Sequence, residues 1–420
     1  MKDNENNVAM TGIPLRYRGT TRHEKVYRIP LTHLVYNKYN GRIGTAVKSY
    51  EKQNGELNPE NDSDKAIIEK FLDESNKDRN EKTMKSLVDD GQQRYGIITA
   101  DGVIIDGNRR AMLLNKLFRD YARLGYSYSN VERCQYFLAI VLPDDAEEKD
   151  LQQLEAIYQM GEDGKLDYNP IEKYLKCKRL NEFFDIQQIS EMMNEKTAQI
   201  KDWLSILDFM EKYLETYGYD GIYTRLEKTE GQFVDLNNYI TAYQGKGANT
   251  RRVDWAYSNS DISDLQMVCF DYIRARYEGK EFREIAKTGK DGSIFQHEDL
   301  WKNFFQEHEK NVTNPNDEET VDELRKKHPM EDLSKLLKSR DDEWTTKVTD
   351  VLKGNLKRHV SKLDDRRDFN KPADLLDKAL SALEAVDCEQ PSFLNDSKIR
   401  EMVYEINKIT YKMIKILGKN

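Results

Sequence analysis

The amino-acid sequence predicts an α+β N-terminal domain followed by a mostly α-helical C-terminal half. Two patterns carry that expectation. Short β-branched and aromatic runs bounded by turn residues cluster before Pro143, and beyond it apolar residues recur at steps of three and four. A third observation, 24 tyrosines and 14 phenylalanines in 420 residues, supplies the apolar bulk for more than one core.

Taken in order, residues 1–25 read as a polar arm, basic at Arg16, Arg18, Arg22, His23 and Lys25, either solvated or touching phosphate. Residues 26–143 form the α+β domain, with strands predicted in KVYRIPL, YGIIT, VII and CQYFLAIVLP. Helical spacing separates them at 66–72, 84–88 and 111–124, and YEKQNGELNPENDSD (50–64) reads as an inserted surface loop. Residues 144–225 place Leu151, Leu154, Ile157 and Tyr158, then Ile171, Tyr174 and Leu175, on helix faces. A further helical domain at 226–310 leads to a polar linker at 311–330. In the last helical region, 331–420, Ile399, Met402, Val403, Ile406, Ile409 and Met413 form a stripe suited to a partner protein or to self-association.

Composition narrows the functions. A net charge of −9 excludes nonspecific coating of nucleic acid or membrane by the whole molecule, so any DNA contact needs a local basic patch. Cys134, Cys177, Cys269 and Cys388 form no CxxC pair, which points to reduced thiols rather than a zinc site or disulfide framework. No apolar run approaches the roughly 18 residues of a membrane span, and MKDNENNVAM lacks the apolar core of a signal peptide. The expectation is a cytoplasmic protein with no membrane partner.

The chemistry concentrates in DGVIIDGNRRAML (101–113), a strand that turns at Asp106-Gly107 into a helix. A glycine turn feeding a helix presents unpaired backbone N–H groups and the positive end of a dipole, and both favour phosphate. Arg109 and Arg110 add rigid, permanently charged forks, Asp106 can orient an arginine or help bind a cation, and Asn108 offers a donor and an acceptor. Arg109, Lys116, Arg119 and Arg123 fall near one helix face, a possible basic stripe for polyphosphate or DNA. The same short string also fits a tight turn with surface ion pairs.

Three segments in order set this corner in a wider pattern: IPLTHLVYNKYNGRI (29–43), SLVDDGQQRYGIIT (86–99) and GVIIDGNRRAMLLNKL (102–117). Together they resemble the N-terminal domain of the ParB/sulfiredoxin superfamily, with its L-x-x-N-x-x-N-x-R segment and I-D-G-x-R-R turn. LDYNPIEKYLKCKRL (166–180) is similar to the helix that follows the nucleotide site in ParB-type proteins, so the resemblance covers about residues 26–210. It implies a nucleoside triphosphate, ATP or CTP, with Mg²⁺. Arg42, Gly107, Asn108, Arg109 and Arg110 would hold it, and Asp106, Arg109 and Arg110 would serve any hydrolysis.

The sequence departs from the family at three points. Asn108 stands where CTP-binding clamps carry glutamate. QMGEDGKLDYNP (159–170) replaces an E-N-x-Q-R stretch, leaving Glu162 as the metal-binding substitute beside Asp106 and Lys165 as the phosphate-binding one. The corner has no cysteine, so sulfinic acid reduction is not expected. DGQQR (90–94) resembles a motif of another branch of the superfamily but reads here as the loop before a strand.

DIQQISEMMNEKTAQIKDWLSIL (185–207) resembles a helix-turn-helix, with Thr197 as the expected N-cap of its second helix and Lys196, Gln199 and Lys201 facing outward to DNA. An ordinary helical hairpin fits the same pattern. Three functions follow: a ParB-like nucleotide-binding protein acting on or near DNA in partition, transcriptional control or defence against mobile elements; a nuclease or phosphotransferase; or a non-enzymatic scaffold.

Overall fold

The computed structural model describes residues 7–158, 169–246, 253–276, 281–289, 292–312, 318–329 and 331–418. The chain divides into two compact units, Met1–Leu356 and Lys357–Asn420.

The first unit opens with β1 (Val8–Tyr17) and β2 (Thr20–Pro30), followed by α1 (Gly44–Asn54), α2 (Asp62–Glu74) and α3 (Lys77–Asp89). Next come β3 (Gly96–Ile98), β4 (Ile104–Asp106), α4 (Asn108–Asp120), α5 (Tyr128–Val131) and β5 (Tyr136–Val141). The strands form one mixed sheet in the order β1-β2-β5-β3-β4, with β3 parallel to β5 and the other pairs antiparallel.

Adjacent residues of each strand serve opposite faces, as the pleat requires. Ile98, Ile104 and Ala139 join the core beneath α1 to α4, while Ile97, Ile105 and Ile140 join Leu15, Tyr17 and Leu154 on the other face. The sheet is thus buried on both sides.

Three expectations fail here for identifiable reasons. Residues 7–25 of the expected polar arm are not an arm: Arg18 and Gly19 form a two-residue turn with φ of 48° and 75°, so Tyr17 pairs with Thr20 and the predicted strand extends back into a long hairpin. Two of its basic residues are engaged: Arg18 bonds Asp145 and Asp150, and Arg22 stacks 4.9 Å from the Tyr17 ring centroid. The loop expected at 50–64 shrinks to 55–61, because α1 runs to Asn54 and Asn61 caps α2 through the Ser63 N–H. Lys38 holds the remainder by bonding Glu51, Glu56 and the carbonyl of buried Leu57.

The helical part contains α6 (Glu148–Glu155), α7 (Pro170–Leu180), α8 (Ile186–Met193), α9 (Thr197–Thr216), α10 (Glu230–Thr241), α11 (Asn259–Arg274), α12 (Phe282–Ala286), α13 (Glu298–Asn311) and α14 (Val321–Lys327). The linker expected at 311–330 therefore carries a helix of its own, started by a capping box of Thr320 and Glu323. Its core includes an ionic cluster. Arg274, whose side chain is wholly buried, bonds Glu318 twice at 2.6 Å and Asp341 at 3.0 and 2.9 Å, and sits 4.4 Å from the Trp344 ring centroid. Asp341 also accepts Arg225 and the Tyr219 hydroxyl.

The long α15 (Leu333–Glu384) continues into the second unit, which adds α16 (Pro391–Asn395) and α17 (Ser397–Leu417). Met402, Val403, Tyr404, Ile409, Met413 and Ile416 are exposed along α17. Among the described residues no helix is long and apolar enough to cross a membrane.

Candidate functional site

The predicted corner forms. β4 ends at Asp106, Gly107 takes φ 109° as the residue capping α4, and the helix begins at Asn108. Glycine is required twice over. An L side chain is strained at that φ, and a Cβ would lie 2.6 Å from Cζ of buried Phe137 on β5.

In front of the turn is a cavity of about 260 Å³, lined by Asn40, Arg42, Arg79, Thr83, Arg94, Asp106, Gly107, Asn108, Arg109 and Arg110. Its described lining thus brings together five guanidinium groups, one carboxylate and the N-terminus of α4.

These residues divide the work. Arg110 is a brace, donating to the carbonyls of Arg94 and Tyr95, the latter at 3.0 Å, and to Asp106 Oδ2 at 2.7 Å. Asp106 therefore orients an arginine, one of the roles its position suggested. Asn108 is 2% exposed and spends its amide internally, accepting the Asn37 N–H at 3.1 Å and donating to the Asn37 carbonyl at 3.2 Å. Those bonds tie the 37–43 loop to α4 and set Arg42 at the cavity edge. Asn108 is thus a positioning residue as well as part of the cavity lining. Arg109 donates to Ser75 Oγ at 3.1 Å.

Two arginines of the lining escaped the sequence reading. Arg94 is the last residue of DGQQR, and Gln92 delivers it by pairing with β5 as a strand would: its amide accepts the Leu138 N–H and donates to the Leu138 carbonyl, both at 2.8 Å. That places DGQQR in the loop before β3. Arg79 comes from α3 together with Thr83, and no motif marked it. The spacing of four between them, one turn on a shared helix face, was the available signal.

The basic stripe on α4 is largely neutralised. Lys116 bonds Asp73 and Arg119 pairs with Glu69 because α2 lays these acidic residues alongside, while Asp120, the last residue of α4, pairs with Arg119 and Arg123. Glu162 and Lys165 lie outside the described residues. Among the described residues no group of three or more His, Cys, Asp or Glu is arranged to hold an ion. Of the two residues expected to hold Mg²⁺, Asp106 is engaged by Arg110, and Glu162 lies outside the described residues.

At the second site, α8 ends on Asn194 in a left-handed conformation (φ 52°) and α9 starts at Thr197. Thr197 is the first helical residue rather than the cap: Lys196 occupies the N-cap position, and no side chain caps the helix. Lys196, Gln199 and Lys201 are all exposed, while Ile200 and Trp203 are buried on the opposite face. No protein-family model matches the chain, and no curated protein matches it in sequence.

Proposed function

We propose that the corner binds the phosphates of a nucleoside triphosphate, ATP or CTP, and that the chain is a ParB-like protein acting on or near DNA. The supporting observation is the convergence of Arg42, Arg79, Arg94, Arg109 and Arg110 on one cavity at the start of α4. Guanidinium forks match phosphate oxygens two at a time and stay charged at any physiological pH. The cavity's size, about 260 Å³, suits the phosphate chain, with the nucleoside extending outside it. Exposed Lys196, Gln199 and Lys201 on α9 form the DNA-facing part of this reading, and exposed apolar residues of α17 offer a surface for a partner protein or a second copy.

Thermal unfolding with ATP, CTP, GTP, ADP and inorganic triphosphate tests the phosphate site. Ligand at 100 times its Kd adds about 2.7 kcal/mol, a rise of a few degrees. Arg109→Ala is expected to remove that rise. If none of these ligands shifts the wild-type transition, the reading fails.

A further inference from the structure

A second cavity, of about 500 Å³, has a different character. It is lined by Tyr39, Gly44, Lys48, Glu172, Leu175 and Tyr223, with charged residues of α6, α7 and α9 around them. The surrounding charges are spent on one another. Lys176 bonds Gln152 at 2.6 Å and Glu155 at 2.7 Å, Lys178 pairs with Glu211 at 2.5 Å, and Arg179 pairs with Glu148 and Glu182.

Glu172 and Lys48 are the exceptions. Glu172 is 4% exposed, and its Oε1 accepts both the N–H and the hydroxyl of Thr45 at 2.7 Å. Among the described residues its Oε2 has no hydrogen-bond partner, and the missing side chain of Gly44 leaves that oxygen clear: a Cβ there would stand 2.8 Å away. That oxygen opens onto the cavity, where it can accept a donor from a ligand. One helical turn beyond Gly44, Lys48 forms no ion pair with a described residue, and its ammonium lies 5.5 Å from the Tyr223 ring centroid. Leu175 and the rings of Tyr39 and Tyr223 give the same cavity apolar walls.

A ligand complementary to this arrangement carries a cation for Glu172, an anion for Lys48 and an apolar body. The volume lies within the range of small-molecule pockets. We propose that this cavity binds a free α-amino acid, its ammonium on Glu172, its carboxylate on Lys48 and an aliphatic or aromatic side chain against Leu175 and Tyr223. Burial, which pushes the Glu172 carboxyl up to about 7, fits the same picture, since an arriving ammonium would supply the partner that the ionised form lacks.

The test is thermal unfolding of the full chain with each standard L-amino acid at millimolar concentration, followed by titration calorimetry on any that act. An aliphatic or aromatic amino acid is expected to raise the transition by about 2 °C or more. Lys48→Met should weaken that binding by at least about tenfold. Because Glu172 also caps α1 and its variant can unfold for that reason, Lys48→Met carries the test. Arg109→Ala should leave amino-acid binding intact, which separates this site from the phosphate corner. No shift with any amino acid, or a shift unchanged in Lys48→Met, would overturn the proposal.

Discussion

Around Arg274 the protein fills the guanidinium itself: four hydrogen bonds go to Glu318 and Asp341, Trp344 covers the face, and the side chain is wholly buried. At the corner, five guanidiniums meet instead at the wall of a cavity. Arginines in the first setting join helices, and those in the second line an open cavity, the arrangement on which the proposed phosphate site rests. Arg110, bonded to Asp106 and to two carbonyls, is built in the Arg274 manner, and it braces the turn around which its neighbours gather.

The largest effect should come from the filled cluster. Asp341→Asn withdraws the charge that faces Arg274 and Arg225 and puts an N–H₂ donor where one carboxylate oxygen accepted. Breaking a buried ion pair by altering one partner costs about 3–5 kcal/mol. Urea unfolding should show a loss of that order with an unchanged slope. A cost below about 1 kcal/mol would mean that the cluster does not join the helices, and the contrast would dissolve.

Glu172 sharpens the comparison through pH, because it is a buried group whose charge the protein only half satisfies. Its carboxyl is raised from 4.5 to about 7, first by desolvation, with the Thr45 bonds and Lys48 opposing. Between those values the folded chain keeps a proton that the unfolded chain has released. The group's contribution is therefore complete below pH 4.5 and is lost as pH rises through about 7. The wild type should be more stable near pH 5 than near pH 8 by up to about 3 kcal/mol from this group alone. Glu172→Gln should flatten that part of the profile, and an unchanged profile would reject the assignment.

What the sequence revealed follows the range of the interactions involved. The corner was readable because it is local: a strand, a glycine turn and two arginines lie within a few residues, and Gly107 and Asp106 take the positions their types suggest. The α+β order and the exposed faces of α9 were readable from periodicity. The hairpin of residues 8–30 was hidden because its turn, Arg18-Gly19, sits in a polar stretch that hydrophobic patterning passes over. Arg94 was invisible as a site residue because it reaches the cavity through the side chain of Gln92, and Arg79 left only its spacing of four from Thr83, which gains meaning once α3 is packed at the corner. The internal bonds of Asn108 were hidden for the same reason, since its partner, Asn37, is 71 residues away.

The smallest expected effect is also the most pointed, because it separates two neighbouring arginines. Arg110→Met removes the donor to the Arg94 and Tyr95 carbonyls and to Asp106, and should cost about 1–3 kcal/mol in unfolding free energy. Arg109→Ala removes one of several like charges gathered at the cavity, so lost contacts are offset by relieved repulsion, and basal stability should move by no more than about 0.5 kcal/mol. Denaturant midpoints measured without ligand would show the split. Equal large losses for both variants would place Arg109 in the company of Arg274 and make the whole corner a structural joint. A loss confined to Arg110, combined with loss of the triphosphate-induced shift in Arg109→Ala, would leave the two adjacent residues with distinct duties, one holding the turn and one facing the ligand.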